Sequence, residues 1–372
     1  MADARTTLIT GIGLASSVGD AIMGSAAIRA GITRPQKLGV FVGVDDEPEP
    51  AELSGHPVAG CTEGTFFLGR WIRLAHRALD DLASRGDLPH LDDVAGWTRT
   101  ALVVAVPDDL PGRFSVPERI DDAYLTERYI GRVVQLLSWP LAPAQIRWVR
   151  RGHMGAIAGL VIALEELAEG RYDRVIVLAA DSLIETKSLA WLDKKQQLKT
   201  PARAVGVVPG EAAACVMIED PRAARSRNAR PQAYLESVAA HESQQPESRD
   251  GRGLGPAWAG AIEEALRRAG VRRPFDGDMV CDLNGSEQRA HDFGMAQLLL
   301  NQKRLTAPGK VRFPATALGE TGAASGAVAL VMGVRALARG ESQRSSVLVT
   351  SRDDQGHVGA ACLGRVPRSS RW

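Results

Sequence analysis

The chain is poor in the groups that mark several functional classes. Its 372 residues include only 4 cysteines, and no two of them form a CxxC pair. That excludes a disulfide scaffold and offers no zinc-ribbon spacing. Cys61, Cys215, Cys281 and Cys362 stand apart, and the last three lie in apolar runs that suit buried thiols. Such usage fits a reduced, cytoplasmic setting. An excess of one charge is also missing. Lys and Arg number 45 against 44 Asp and Glu, a net charge of +1. No global field therefore draws the chain to nucleic acid or to an acidic membrane surface. No apolar run approaches the ~20 residues of a membrane-spanning helix. Residues 6–17 have neither the basic leader nor the apolar core of a signal peptide. A GxG stands at Gly11-Ile12-Gly13, but the third glycine and the acidic residue of a dinucleotide fingerprint are absent. Nothing in the sequence calls for a cofactor.

What is present begins with residues 146–180. Ile146, Trp148 and Val149 read as a strand that ends at Arg150-Arg151-Gly152. From Met154 to Gly170 the spacing predicts a helix, with Ile157, Leu160, Val161, Leu164 and Leu167 three and four apart. Its other positions are small (Gly155, Ala156, Ala158, Gly159), so it belongs in the interior. A second apolar strand follows over 174–180, as expected for a strand buried on both faces. His153 stands at the N-terminus of the helix, where free N–H groups and the helix dipole favour negative charge.

The rest of the chain reads as α/β. Strands are expected at 7–13, 101–106, 212–218, 232–240, 279–283, 311–313, 346–350 and 358–366. Helices are expected at 21–30, 67–82, 122–137, 257–269, 291–303 and 321–338. Residues 45–64 and 107–120 read as loop. The basic stretch 219–230 reads as a connection between a half at 1–221 and a half at 230–372. The two halves repeat. Gly155-Ala156-Ile157-Ala158-Gly159 and Gly322-Ala323-Ala324-Ser325-Gly326 each open a small-sided helix that ends at an Ala-x-Gly and leads into an apolar strand. Ala213-Ala214-Cys215-Val216 then matches Ala360-Ala361-Cys362-Leu363. Two such halves, each with an apolar central helix, imply a five-layered αβαβα arrangement.

This duplicated pattern resembles the thiolase fold, and in detail the β-ketoacyl-acyl carrier protein synthases. The matching segments are Ile9 to Gly13, Ala180 to Leu183, Leu192 to Thr200, Val208 to Ala213 and Leu318 to Gly326, in the family's order. The resemblance runs from about residue 6 to 366 and is weakest over 40–145. It implies a dimer paired through a strand at about 146–150.

The resemblance also implies where a condensing site would stand, and there the chain departs from the pattern. The family's nucleophilic cysteine falls on His153. Its two histidines fall on Asn284 and Glu320, and Ala315 stands at or near the place of its lysine. Condensation through a cysteine acyl-enzyme is therefore not expected. Two readings follow. In the plainer one the protein is a non-condensing partner or scaffold, such as the inactive half of a heterodimer with a ketosynthase-like subunit, or an adaptor in a specialised bacterial gene cluster. In the other, His153 is a base oriented by Glu320, with Asn284 as oxyanion donor, and the protein is an acyltransferase or thioester hydrolase. A tunnel filled by side chains such as Met154 or Phe293 would mark the scaffold.

Other residues are candidates for binding. Arg150 and Arg151 could hold a phosphopantetheine phosphate or a partner's carboxylate, although such pairs are more often solvated or ion-paired. Lys194, Lys195 and Lys199 could dock an acidic acyl carrier protein, although a charge run is usually a solvated face. His357 lies in a glycine-rich loop that borders the family's pocket. Glu211 reads as a buried structural carboxylate. His291 and Asp292 lack a third metal ligand and read instead as caps of a helix N-terminus.

Overall fold

A helix that is apolar on every side cannot rest on a surface, and this chain has two. In the computed structural model they pack against each other between two layers of sheet. The structure describes residues 7–41, 51–86, 88–114, 120–243, 253–342 and 344–367.

The first half supplies β1 (Thr7–Ser16), α1 (Ala21–Arg29), the pair β2 (Gln36–Phe41) and β3 (Ala51–Gly55), and α2 (Leu68–Arg85). It continues with β4 (Thr100–Val106), β5 (Ile146–Arg150), the inner helix α3 (Gly155–Ala168), β6 (Arg174–Ser182), α4 (Thr186–Lys194) and β7 (Glu211–Glu219). The second half supplies β8 (Ala233–Glu242), α5 (Gly255–Ala269), β9 (Asp278–Cys281) and α6 (Glu287–Gln302). After these come β10 (Val311–Arg312), the inner helix α7 (Ser325–Ala338), β11 (Ser346–Arg352) and β12 (His357–Gly364). Ten strands run in the order β10-β9-β11-β12-β8-β1-β7-β6-β4-β5. The two five-strand blocks have the same connectivity. They meet where β1 pairs with β8, Thr7 opposite Leu235 and Ile9 opposite Ala233.

Alternation along each strand feeds the layers. Ala101, Val103 and Ala105 of β4 face the inner helices, whereas Leu102 and Val104 face α2 with Trp71, Leu74 and Leu79. In the second half Val347 and Val349 face inward, and Leu348 faces Trp258, Ile262 and Leu266 of α5. Both faces of each block are covered, which is why these strands read as continuous apolar runs. A fully buried Leu or Val contributes roughly 1.5–3 kcal/mol, so the three large clusters dominate the stability.

Several expectations change. Residues 51–55, read as loop, form β3 and pair with β2, while 42–50 lie outside the described residues. A short helix, Leu110–Phe114, stands inside the expected loop 107–120. Helix α6 starts at Glu287 with Ser286 as its cap, so His291 and Asp292 lie past its first turn and do not cap it. Asp292 instead pairs with Arg352 at 3.2 Å. Phe293 packs on Trp258 and Phe313 in the outer layer, with the second sheet block between it and the inner helices, so it fills no tunnel.

The N-termini of the two inner helices are drawn together at small residues. A Cβ on Gly326 would lie 2.5 Å from the His153 carbonyl oxygen. Gly322 has φ +55° and abuts Asp181, whose carboxylate accepts from Ala323 N at 3.0 Å and from Arg113 at 2.8 and 3.0 Å. A Cβ there would stand 2.1 Å from Asp181 Oδ2. Gly322→Ala is expected to cost about 2–4 kcal/mol, from strain and displacement of a buried ion pair. Gly294→Ala, in open space on α6, is expected to gain ~0.5–1 kcal/mol. Urea unfolding of the two variants checks both signs.

Candidate functional site

His153 sits in a single 3-10 turn, Gly152–Met154, that leads into α3. Glu320 comes from the other half. Its backbone is clamped to the loop before β7: its N–H donates to Val208 O at 2.7 Å, and its carbonyl accepts from Gly210 N at 2.9 Å. This brings the carboxylate to the imidazole, with Nε2 of His153 2.8 Å from Oε1 of Glu320. Oε1 also accepts from Gly322 N at 2.5 Å and from Ser325 Oγ at 3.3 Å, while Oε2 takes the amide of Asn284. The three positions singled out in the sequence thus converge, from α3, the turn after β9 and the segment before α7.

The carboxylate uses the Asn284 amide differently from the oxyanion reading. One N–H of Nδ2 goes to Glu320, and Oδ1 accepts from Ser286 N at 3.0 Å. The amide is therefore anchored at both ends inside the protein. Around this knot lies a set of charges that the sequence reading missed. Arg289, 1% exposed, donates to Asp282 at 3.0 Å and to the Arg352 carbonyl at 2.7 Å, and reaches Asp354 at 3.3 Å. Asp108 lies across Gly152 and accepts from Asp109 N at 2.9 Å. Such residues are far apart in sequence and carry no local motif.

Charge state follows from these contacts. Burial alone would raise the Glu320 carboxyl, but the His153 charge, the hydrogen bond from His153, and Arg289 and Asn284 together hold it at about 2. Burial and Arg289 push His153 down; Glu320 and Asp354 outweigh them, and the imidazole titrates above its ordinary value. Asp354 is lowered to about 2, with burial opposed by Arg289 and His153. Burial, reinforced by Asp353, raises Asp108. Both shifts favour the imidazolium–carboxylate form of the pair. An imidazolium has no lone pair with which to take a proton.

The cavity before the pair holds about 50 Å³, room for very few water molecules. Lys195 is the only one of the three expected lysines that lines it, its Nζ 4.1 Å over the Trp191 ring. Lys194 and Lys199 are exposed. Arg150, Arg151 and His357 are elsewhere, on a second groove with Met154. Arg150 is paired with Asp122 at 2.9 Å, and His357 Nδ1 with Asp353 at 2.6 Å. All four cysteines are buried, and none lines the cavity. Burial raises the thiols of Cys215, Cys281 and Cys362 well above their ordinary value. Glu211 is structural, as expected: it joins Arg70, Thr62, Ser182 and Val58 N. Among the described residues no group of His, Cys, Asp and Glu has the makings of a metal site, and no helix is long and apolar enough to cross a membrane.

The pair makes stability depend on pH in two directions. His153 has a raised folded pKa, so its contribution is full below the unfolded value near 6.5 and is lost as pH rises through the folded one. Glu320 has a lowered folded pKa, so its contribution is full above 4.5 and is lost as pH falls toward about 2. The stability difference between the protein and His153→Gln is expected to peak at about pH 5–6 and to shrink on both sides. Denaturant unfolding from acid to alkaline pH measures it; a flat difference would mean the ion pair contributes nothing.

No protein-family profile and no curated protein matches the chain. Solved structures do. An oxazolomycin ketosynthase domain of Streptomyces albus is 14% identical with a TM-score of 0.75, over 98% of this chain and 75% of that one. The ishigamide ketosynthase/chain length factor is 19% identical with a TM-score of 0.71, over 98% and 100%. A type II polyketide ketosynthase, bound to a hexaketide and in complex with its acyl-carrier protein, is 14% identical with a TM-score of 0.73, also over 98% and 100%. At these identities the likeness is one of fold: this chain has the thiolase-like architecture that ketosynthases and a ketosynthase/chain length factor share.

Proposed function

We propose that the protein is a ketosynthase-fold subunit that does not condense, and that it works as a partner or scaffold. The observation that carries this reading is the buried ion pair of His153 and Glu320. The resemblance puts His153 in the place of the family's cysteine, and its Nε2 is held 2.8 Å from Glu320. Asn284 and Glu320, which the resemblance puts in the places of the two histidines, bind each other. A site whose polar groups are tied to one another, before a cavity of about 50 Å³, has little left to offer an acyl thioester. Two of the similar structures are assemblies by their own descriptions, a ketosynthase/chain length factor and a ketosynthase with an acyl-carrier protein. On this reading a ketosynthase-like subunit or an acyl carrier protein is the natural partner here, and Lys194, Lys195 and Lys199 are the residues to meet an acidic carrier.

A second reading is favoured by one observation, the 2.8 Å His–Glu contact, which is the spacing of a base and its orienter. It makes the protein an acyltransferase or thioester hydrolase. Against it stands the buried Glu320 carboxylate, which favours the protonated imidazole, and a base must first be deprotonated. Thiol release from a panel of acyl thioesters separates the two. The expected result is background release from the protein and from His153→Ala alike. Release that disappears in the variant would replace the scaffold by an enzyme.

A further inference from the structure

We infer that a groove at the other end of β6 from the His153 cavity binds the phosphate group of a small molecule. The inference goes beyond the proposed function, which leaves the basic connection 219–230 unused. That connection holds Arg222, Arg225, Arg227 and Arg230. A segment that only joined two halves would need no fixed side chains. Here Ala224 and Ala229 pack on Leu8, and Arg227 is drawn into a buried ionic network. The groove beside it holds about 840 Å³, and its walls include Arg85, Arg174, Arg227, Arg230, Asp93 and Asp173. Arg174 opens β6, and Asp181 of the His153 cavity lies near the far end of that strand, roughly 23 Å away.

Behind the groove one carboxylate holds two guanidiniums. Glu219 is fully buried, and accepts from Arg174 Nε at 3.0 Å, from Arg227 Nε at 2.9 Å and from Thr10 Oγ1 at 2.6 Å. Like charges side by side repel, so the shared carboxylate is what fixes them there. Arg174 is 6% exposed and also donates through Nη1 to Gly96 O and Thr100 Oγ1, both at 3.1 Å. Its third nitrogen, Nη2, has no partner among the described residues, and it is not sealed from solvent. A buried side chain anchored at two nitrogens thus leaves the third to the groove it lines. A guanidinium held this way loses little conformational freedom on taking a ligand.

The charges of the groove say what that ligand is. Arg230 is exposed and has no ion-pair partner among the described residues. Arg85 is already countered by Asp20 at 2.6 Å and Asp81 at 2.7 Å. Of the two acids, Asp93 accepts from Gly96 N at 2.8 Å and Asp173 pairs with Arg99 at 2.7 Å. The spare donors are therefore cationic, Arg174 Nη2 and Arg230, and they come from separate segments. They suit an oxyanion whose oxygens accept from several directions, as those of a phosphate do. Asp93 and Asp173 would repel a long polyanion laid along the groove, which argues against nucleic acid. No aromatic ring among the described residues lines the groove to stack a base.

Isothermal titration calorimetry on the full chain, at fixed ionic strength, tests this with two probes, inorganic phosphate and glycerol 3-phosphate. One site per chain is expected. Tighter binding of inorganic phosphate assigns the site to the free ion, and tighter binding of the ester assigns it to a phosphorylated metabolite. Arg230→Glu is expected to weaken binding roughly tenfold or more. Arg272→Glu makes the same charge change at an exposed residue of the other half and is expected to leave binding unchanged. Arg174→Lys keeps the charge but gives up the fork, and is expected to weaken binding as well. Equal unfolding midpoints check that the variants fold, and Arg230, being exposed, carries the test where Arg174→Lys does not. No binding of either probe, equal binding by Arg230→Glu and the parent, or the same loss in Arg272→Glu would each overturn the proposal. So would a single-stranded oligonucleotide that binds more tightly than both probes and loses that binding in Arg230→Glu. None of these results bears on thiol release, so the proposed function stands or falls separately.

Discussion

The Glu320 carboxylate has to remain ionised for the centre of the molecule to hold its arrangement. It is 3% exposed, and it receives hydrogen bonds from His153, Asn284, Gly322 and Ser325. A buried carboxylate with fewer donors would be protonated instead. Here the donors come from both halves, so one charge fixes the relative placement of α3, the turn after β9 and the start of α7. Asp181 does the complementary task from the first half, receiving Ala323 N and the Arg113 guanidinium. The two carboxylates cross the same seam in opposite directions, and the close approach at Gly326 makes both reachable.

Much of the fold was legible because its periodicities are strong. Strands such as β4 and β6 are apolar at every position, since helices cover both of their faces. The small-sided helices α3 and α7 announced themselves in the same way. The repeat gave the five layers, because two copies of one unit can bury two such helices only against each other. The pair β2–β3 was not legible. Its strands are short; β2 is largely exposed, and β3 carries a single buried hydrophobic side chain, Leu53, too little for a readable alternation. The start of α6 was missed because its cap, Ser286, lies five residues before His291, where the helical pattern was read to begin.

The site was legible in part, through the family resemblance and not through composition. His153, Asn284 and Glu320 do meet. Their hydrogen-bond assignment was not readable, since nothing in a sequence says that the Asn284 amide would be taken by Glu320. Arg113 was hidden in a segment read as loop, and its partners Asp181 and Ser188 lie about seventy residues on. Arg289 and Asp354 were likewise invisible, because a buried ionic cluster is defined by the meeting of β9, α6 and the β11–β12 turn. Arg150, Arg151 and His357 were read as candidates for binding a ligand or a partner. They are near the site in sequence or motif, yet they line another groove.

The meeting of the two inner helices at Gly326 has an electrostatic consequence. Both helices point their N-terminal ends toward one spot, so two partial positive charges converge there in a region shielded from water. Such a spot attracts an anion of some kind. In this chain the anion is covalently part of the protein: Glu320 occupies it permanently and bonds the free N–H of Gly322. A visiting negative group, or one that develops during a reaction, would have to displace a carboxylate that cannot diffuse away. The chain thus carries its own resident competitor at the point where the fold concentrates positive potential.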